Sequence, residues 1–440
     1  MSPSNIVLVL LSSLMLADAA HAQEYGPPAE AQDRSEAEAA GAGGLNASQL
    51  LGADAVDLGA SVGLAAHSYP TVLAARANIR GAQANVKGAN WQRFPSVSVE
   101  ALGLGSGAGS SDYSFRVDEP LWTAGRIGGS IRLSKAQLAA AEAALSEVQL
   151  DISLRVLTAY FDVQRLTARE AILEESLREH VRLVESMARR VQQELSAASD
   201  LDLAKTRAAQ VQQDLVLAGG QRRASLNRLR ELTGLATVSV RAVKYDPLLH
   251  HPAADGLVDE ALAFDPRRRR LQAELLAADA DITVRRAAIF PQVSLQYQKP
   301  FYGPDNIGVV LRAQSAGGLS QLSAVDAARQ RRTSAEFAIA SSERELREAV
   351  EADLLENGVA KDRIASSGTS VLSAQAVTDS FMRQFVAGRR TWLDVMNAVR
   401  ESTAAQLAEV DARVSATASA GRILLRTGRW LPQSEQDDSK

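Results

Sequence analysis

The chain has 440 residues, contains no cysteine and carries a formal net charge of −4 at pH 7. The lack of cysteine excludes disulfides and thiolate metal sites, and the slightly acidic balance argues against a nucleic-acid partner. Aromatic residues make up only 5% of the sequence, a composition that suits close helix packing better than a thick globular core.

The first 54 residues show the composition of an export signal followed by a flexible segment. Residues 1–22 contain an apolar stretch from Ile6 to Leu16 and then the small-residue site Ala20-His21-Ala22, which predicts a signal peptide. Residues 23–54 are rich in Ala, Gly, Glu and Pro, which predicts a segment without fixed structure. No other stretch reaches 18 continuous apolar residues, so the sequence predicts no transmembrane helix.

The rest of the chain is an internal duplication. The first repeat spans residues 55–234 and the second spans residues 266–430, with a connector at 235–265 and a polar tail at 431–440. Each repeat opens a helix at a proline and ends it before another proline 25 residues later, at Pro70 and Pro95 and at Pro266 and Pro291. A period this long indicates a duplicated domain rather than a solenoid of short repeats.

Each repeat contains two segments of alternating apolar and polar residues, within 95–121 and 291–314. The apolar positions are Val97, Val99, Ala101, Tyr113, Phe115, Val117, Val293, Leu295, Tyr297, Ile307, Val309, Leu311 and Ala313. This pattern is typical of transmembrane β-strands, and a soluble half-buried hairpin is the alternative. Lipid tolerates no open sheet edge, so four membrane strands can close a barrel only if several chains share it. Membrane strands therefore imply an oligomer.

Three aromatic residues flank these strands, at Phe94, Trp122 and Phe290. Aromatic side chains are enriched where a membrane protein meets the lipid headgroups. We expect these three to lie at that interface, and ordinary packing is the alternative.

Long helices follow each pair of strands. A first pattern runs from Gly125 to about Leu195 and returns over Leu201–Leu232; a second runs over Leu322–Val386 and returns over 391–426. The first pattern contains two apolar stripes. The first stripe consists of Ile131, Leu138, Leu145, Ile152, Ala159, Leu166, Leu173 and Met187, and the second of Val156, Val163, Leu177, Val184 and Val191. Spacing by sevens predicts coiled-coil packing, and a helix of this length would extend on the order of 100 Å.

The sequence contains no catalytic constellation, so we predict neither an enzyme nor a cofactor site. His250-His251 lies in the connector, where a solvated loop is favoured over a metal site. The basic run Arg267–Arg270 is interpreted as a solvated helix face.

The turns between the long helices carry the more informative charges. The two return helices begin with Leu201-Asp202-Leu203 and Leu393-Asp394-Val395. Simple helix capping explains the aspartates. The alternative is an ion pair between Asp202 and Arg390 that holds one helical hairpin to the other. Asp394 and Asn397 stand three residues apart on one helix face, and in a pore this face would contribute to an acidic ring.

These features together resemble the TolC-like outer membrane factor family, also called the outer membrane efflux proteins. The resemblance covers about residues 55–430 and rests on the duplication, the Phe-Pro pairs before the strands and three motifs. The motifs are Pro120-Leu121-Trp122-Thr123-Ala124-Gly125-Arg126, the turn from Val386 to Val395, and Arg426-Thr427-Gly428-Arg429-Trp430. The stretch from Phe385 to Val395 and the closing motif look like the branch that serves type I secretion of large adhesins.

The resemblance implies a mainly α fold with transmembrane β-strands. A homotrimer would share a twelve-stranded outer membrane β-barrel, four strands per chain, above a periplasmic α-barrel of long coiled helices. The implied periplasmic gate consists of Asp202, Arg390, Asp394 and Asn397, although the family often has a second Asp where Asn397 stands. The implied adaptor-docking turns are Ser196-Ala197-Ala198 and Gly388-Arg389.

The expected function is a passive exit duct in the outer membrane of a Gram-negative bacterium, extending into the periplasm. Its expected partners are outer membrane lipid, a periplasmic adaptor, an inner membrane ABC exporter and an exported adhesin-like protein. One alternative is the outer membrane component of a drug or metal efflux pump. An alternative of another class is a periplasmic coiled-coil tether without a pore.

Overall fold

A computed structural model of the protein describes residues 58–102, 112–246, 250–253, 255–300, 303–313 and 320–430. The predicted signal peptide, the segment 23–54 and the polar tail 431–440 lie outside these residues, as do the tip of the first hairpin and part of the connector. No helix within the described residues is both long enough and apolar enough to cross a membrane.

Both repeats contain the same series of helices and strands. The first consists of α1 (Leu58–Ser68), α2 (Pro70–Trp91), β1 (Ser96–Leu102), β2 (Asp112–Trp122), α3 (Arg126–Gln192) and α4 (Ala198–Thr233). The second consists of α5 (Leu257–Phe264), α6 (Pro266–Ala287), β3 (Gln292–Lys299), β4 (Asn306–Arg312), α7 (Ser320–Val386) and α8 (Trp392–Arg426). The predicted single helix before Pro95 is broken between α1 and α2, because Tyr69 is extended and Pro70 starts a new helix.

Helix caps show how the two repeats correspond. Ala197 before α4 and Thr391 before α8 have nearly the same extended backbone angles, with φ of −75° and −77°. At the other end, Gly234 and Gly428 both have φ of +71°. Both pairs are separated by the same 194 positions, which places Asp200 opposite Asp394. The sequence pattern had instead aligned Asp202 with Asp394.

The four strands form one antiparallel sheet in the order β1-β2-β3-β4. Val97 stands opposite Val117, Val117 opposite Tyr297, and Tyr297 opposite Ile307. Directly opposed residues share a face, so the predicted apolar positions within the described strands lie on one side and the serines and glutamines on the other. Two charged residues are exceptions on the apolar side: Lys299, opposite Phe115, and Glu119, next to an irregularity between Pro120 and Trp122.

Among the long helices, α3 packs against α2, α4, α6 and α8, whereas α7 packs against α6 and α8. The predicted first stripe is largely buried. Its fully buried members are Ile131, Ile152, Ala159, Leu166, Leu173 and Met187, and Leu138 and Leu145 are half-buried. In the second stripe Val156 and Val163 are buried and the other members are half-buried. The helices at the two edges of this arrangement are α7 on one side and α2 and α4 on the other.

The basic run at the start of α6 is only partly a solvated face: Arg267 and Arg269 are exposed, whereas Arg268 and Arg270 are half-buried. Arg267 pairs with Glu345 at 2.6 Å, and Arg268 pairs with Glu343 at 2.7 Å. Arg270 pairs with Glu147 at 2.5 Å. These pairs connect α6 to α3 and α7, so the arginines position the helices.

The histidine pair in the connector is not a solvated loop either. His251 lies 2.8 Å from Asn357 on α7 and 2.7 Å from the hydroxyl of Tyr245. His250 stacks on the ring of Tyr245. The connector is thereby fixed to the second helical hairpin.

Candidate functional site

The two helical hairpins, α3–α4 and α7–α8, pack together close to their turns. The contact is an apolar core that we call the tip cluster. It consists of Leu183, Met187, Ala204, Phe385, Trp392, Val395, Met396 and Val399. Because it draws on all four long helices, it couples the first hairpin to the second within one chain.

The two turns have the same backbone geometry. In the second, Gly388 has φ of +73° and the amide of Arg389 donates to the carbonyl of Gln384 at 2.8 Å. In the first, Glu194 has φ of +57° and the amide of Leu195 donates to the carbonyl of Arg190 at 2.9 Å. The counterpart of Gly388 is therefore Glu194, in a conformation that is costly for a residue with a side chain.

The predicted docking residues of the first turn follow Glu194. Ser196 and Ala197 are extended or irregular and Ala198 is the first residue of α4. Ala197 offers no side-chain cap, whereas Thr391 in the second turn accepts a hydrogen bond from the amide of Asp394 at 3.2 Å. The two turns thus share a backbone path but present different side chains.

The predicted gate residues lie near the turns, but one chain does not bring Asp202 and Arg390 together. Asp202 pairs with Lys205 on its own helix at 3.3 Å. Arg390 pairs with Asp394 at 3.5 Å, donates to Gln384 at 3.3 Å and stacks over Phe381 at 4.2 Å.

The second turn also sets the charge state of Asp394. Hydrogen bonding from Thr391 and the charge of Arg390 hold the pKa of its carboxyl below the ordinary value. Asn397 is exposed one turn further along the same helix. The second turn therefore presents a fixed negative charge beside an uncharged amide.

The contact that does cross between hairpins at the turns was not predicted. Arg190 on α3 lies over the ring of Phe385 on α7, 5.0 Å from its centroid. Its Nε is buried and has no hydrogen-bond partner among the residues that the structure describes. A cation over an aromatic face is stabilising by about 0.5–2 kcal/mol. No local spacing in the sequence signals such a contact, because its partners are 195 residues apart.

The tip also exposes large apolar side chains. Leu195 is 65% exposed and Val386 is 79% exposed, with Leu393 at 45%. Exposed apolar residues around a charged turn are typical of a docking surface.

At the other end of the long helices, exposed aromatic rings surround the base of the sheet. Phe94 is 57% exposed, and Trp122 and Phe290 are each 49% exposed. Trp91, which the sequence analysis missed, is 67% exposed and its ring lies 5.1 Å from that of Phe94. These four residues stand where helices meet strands, the position expected of interfacial aromatics.

Known proteins match the chain in part of its sequence and in its fold. Residues 62–235 match the model of a family described as outer membrane efflux protein. No curated relative matches the chain at a significant level.

Several solved outer membrane channels share the fold. The outer membrane protein VceC from Vibrio cholerae is 18% identical with a TM-score of 0.73, covering 84% of this chain and 96% of that one. The CmeC channel from Campylobacter jejuni is 15% identical with a TM-score of 0.75, covering 87% and 88%. The open-state MtrE channel from Neisseria gonorrhoeae is 18% identical with a TM-score of 0.70, covering 84% and 88%.

The family match lies in the first repeat, and the shared fold extends over both repeats. The sequence of the first repeat thus matches the outer membrane efflux protein family model, and the fold of the whole chain is that of the TolC-like outer membrane channels.

Proposed function

We propose that three copies of this chain form an outer membrane channel that extends into the periplasm, and that this channel is the passive exit duct of a type I secretion system. The cargo in this proposal is a large adhesin-like protein. An inner membrane ABC exporter supplies the energy through a periplasmic adaptor, since channels of the matching family are ducts without enzymatic activity.

The observation that carries the proposal is the two-faced sheet with two open edges. On its apolar face Val99 is 67% exposed, Ile307 73% and Val309 67%. Such a surface is unfavourable in water and suited to lipid. The outer edges of β1 and β4 have no neighbouring strand among the described residues. Lipid permits no open edge, so each β4 must pair with β1 of another copy.

The edge helices support the same assembly. On α7 the exposed apolar side chains lie on one side of the helix at 100° per residue, and they include Leu322, Phe337, Leu355, Val359 and Leu372. On α4 the exposed apolar side chains are Leu203, Val216 and Leu217. Two different apolar edges on one chain favour a head-to-tail contact, and such contacts close into rings.

In this trimer the turns would meet around the periplasmic opening. We assign the gate to Asp202, Arg390, Asp394 and Asn397, and adaptor docking to Ser196, Ala197, Ala198, Gly388 and Arg389. The exposed Leu195, Val386 and Leu393 support docking, because an adaptor could bury them. In the trimer, Arg390 would exchange its contact with Asp394 for one with Asp202.

A double substitution tests this gate. Asp202→Ala with Arg390→Ser removes the pair, so single-channel conductance in planar bilayers should rise while trimer assembly stays intact. Lys205→Ala is the matched control, because Lys205 contacts Asp202 only along its own helix. A double variant that conducts like the parent would show that Asp202 and Arg390 are ordinary helix-end charges.

The resemblance of the second turn, Phe385–Val395, supports the secretion cargo. The description of the matching family as efflux proteins favours a second candidate, the outer membrane component of a drug or metal efflux pump. Deletion of the gene separates them. Secretion predicts that a large surface protein stays inside the cell and that surface attachment falls. Unchanged surface protein with greater sensitivity to small toxic compounds would support efflux.

A further inference from the structure

The polar face of the sheet carries charges in an ordered sequence. Arg116 stands in register with Ser98 on one side and Gln298 on the other, and Asp118 stands between Ser96 and Gln296. Glu100 lies opposite Ser114. Positions two residues apart on a strand share a face and lie roughly 7 Å apart. Arg116 therefore lies between a carboxylate on its own strand and one on the neighbouring strand.

These charges are not used to hold the sheet together. Nε of Arg116 and Oδ1 of Asp118 are buried atoms without a hydrogen-bond partner among the described residues. By contrast, two half-buried arginines of α8 are held by a carboxylate: Arg422 lies 2.5 Å from Asp353, and Arg426 lies 3.0 Å from the same carboxylate. Both Arg116 and Asp118 are only half-buried as a whole, so water and solutes can reach the remaining atoms of a charge that forms no ion pair on this side of the sheet.

The connections of the strands give the order of the charges along the sheet. β1 leaves α2 at Ser96 and β2 leads into α3 after Trp122. Of these three charges Asp118 is therefore closest to the helices, Arg116 lies one step further out, and Glu100 lies beyond it; Arg312, opposite Gln292, lies nearer the helices than Asp118. In a three-fold barrel each position becomes a band of three like charges.

We propose that Arg116 is a specificity-determining residue of the channel. Its three copies form a positive band inside the barrel, between the negative bands of Asp118 and Glu100. The positive band gives the carboxylate groups of a passing solute or polypeptide a counter-charge and slows cations. The inference rests on the proposed trimeric barrel and adds a second point of charge selection, distant from the periplasmic turns.

The test uses the absence of native cysteine. Purified trimers of the full chain with Arg116→Cys are placed in planar bilayers under a KCl gradient, and the reversal potential gives the permeability ratio of K⁺ to Cl⁻. At 0.1 M salt, where charges act over about 10 Å, the loss of three positive charges should raise that ratio about two-fold. A thiol reagent bearing a trimethylammonium group should return the ratio to the parental value, and a sulfonate reagent should raise it further.

Three controls separate charge from folding and from position. Arg116→Lys keeps the charge and should keep the parental ratio. Gln298→Cys exchanges one uncharged side chain for another in the same register and should leave the ratio unchanged. Val117→Cys lies on the apolar face and should not react with either water-soluble reagent.

The outcomes distinguish this inference from the proposed function. One outcome is that Arg116→Cys trimers conduct and react with the reagents while their permeability ratio of K⁺ to Cl⁻ stays at the parental value throughout. This result would show that Arg116 has no role in selectivity, and it would leave the proposed channel intact. If neither the unsubstituted trimer nor the trimer with Asp202→Ala and Arg390→Ser produces current steps, the proposed channel itself is contradicted.

Discussion

Asn357 shows how single residues fix the connector. Its Nδ2 donates to the carbonyls of His250 at 2.9 Å and Ala416 at 3.1 Å and lies 3.0 Å from the hydroxyl of Ser419. Its Oδ1 therefore accepts from Nδ1 of His251 at 2.8 Å. Buried amides with all their groups bonded hold their neighbours in one arrangement, so Asn357 joins the connector to α7 and α8.

His250 should make this region sensitive to acid. The amide of Asp246 donates to its Nδ1 at 2.8 Å, a bond that requires that nitrogen to be unprotonated. Burial lowers the pKa of His250, an effect that Asp246 partly offsets. The unfolded region would bind a proton below its ordinary pKa of about 6.5, whereas the folded one resists it. Stability from this contact is therefore present above that pH and is lost as the pH falls.

Hydrogen exchange of the connector amides at pH 7.5 and pH 5.5 checks this expectation. Protection should fall at the lower pH in the parent. His250→Gln keeps an acceptor that does not titrate, so its protection should change much less between the two pH values. An equal change in the two proteins would assign the acid sensitivity to another group.

The equivalent glycines Gly234 and Gly428 allow a matched substitution. Both need a left-handed backbone, so alanine costs each about 1–2 kcal/mol. A Cβ at Gly428 would also lie 2.7 Å from Cγ of Phe264 on α5, whereas none of the described atoms lies within 4 Å of one at Gly234. Gly428→Ala should therefore lower the thermal stability of the trimer clearly more than Gly234→Ala. Equal losses would show that the contact with Phe264 relaxes without cost.

At the scale of elements, neighbouring valines on β4 test the orientation of the sheet. Val309 lies on the apolar face and Val310 on the polar face. Val309→Arg puts a charge against lipid and should cost about 1–4 kcal/mol, depending on its depth in the membrane. Val310→Arg puts the same side chain in the water-filled interior and should be tolerated better. The amounts of trimer in outer membrane fractions measure the difference, and similar amounts would contradict the assignment of the two faces.

The sequence predicted best those helices and strands whose apolar residues recur at a regular spacing. Helix α7 was predicted over Leu322–Val386 and is observed over Ser320–Val386. Alternation of Val97, Val99 and Val293, Leu295 was enough to find the strands. Periodicity reports which face is buried, and this survives small errors at the ends of an element.

The features that the sequence did not reveal depend on distant partners. The ion pairs of Arg267 and Arg270 were not predicted, because their partners, Glu345 and Glu147, lie on other helices. Arg190 was missed for the same reason, since Phe385 belongs to the second hairpin. The backbone angles at the helix caps were needed to show that Asp200 is equivalent to Asp394. The similar Leu-Asp-aliphatic triplets in the sequence align Asp202 with Asp394 instead.

For the whole molecule, the central point is that a single chain leaves the edges of its sheet unpaired and the outer sides of its edge helices uncovered. The sheet ends at β1 and β4, and the exposed apolar sides of α4 and α7 lie at opposite edges of the helices. The proposed trimer, with one barrel shared by three chains, resolves both features at once. The proposed gate at the turns and the proposed band of Arg116 would then lie in series along one passage.

Single-channel recording of the purified protein in planar bilayers tests this claim most directly. Three chains that close one barrel should give discrete current steps of uniform size from a species with the mass of a trimer. Correctly folded protein from the outer membrane that gives no steps, even with Asp202→Ala and Arg390→Ser at the turns, would contradict the channel and favour a structural tether.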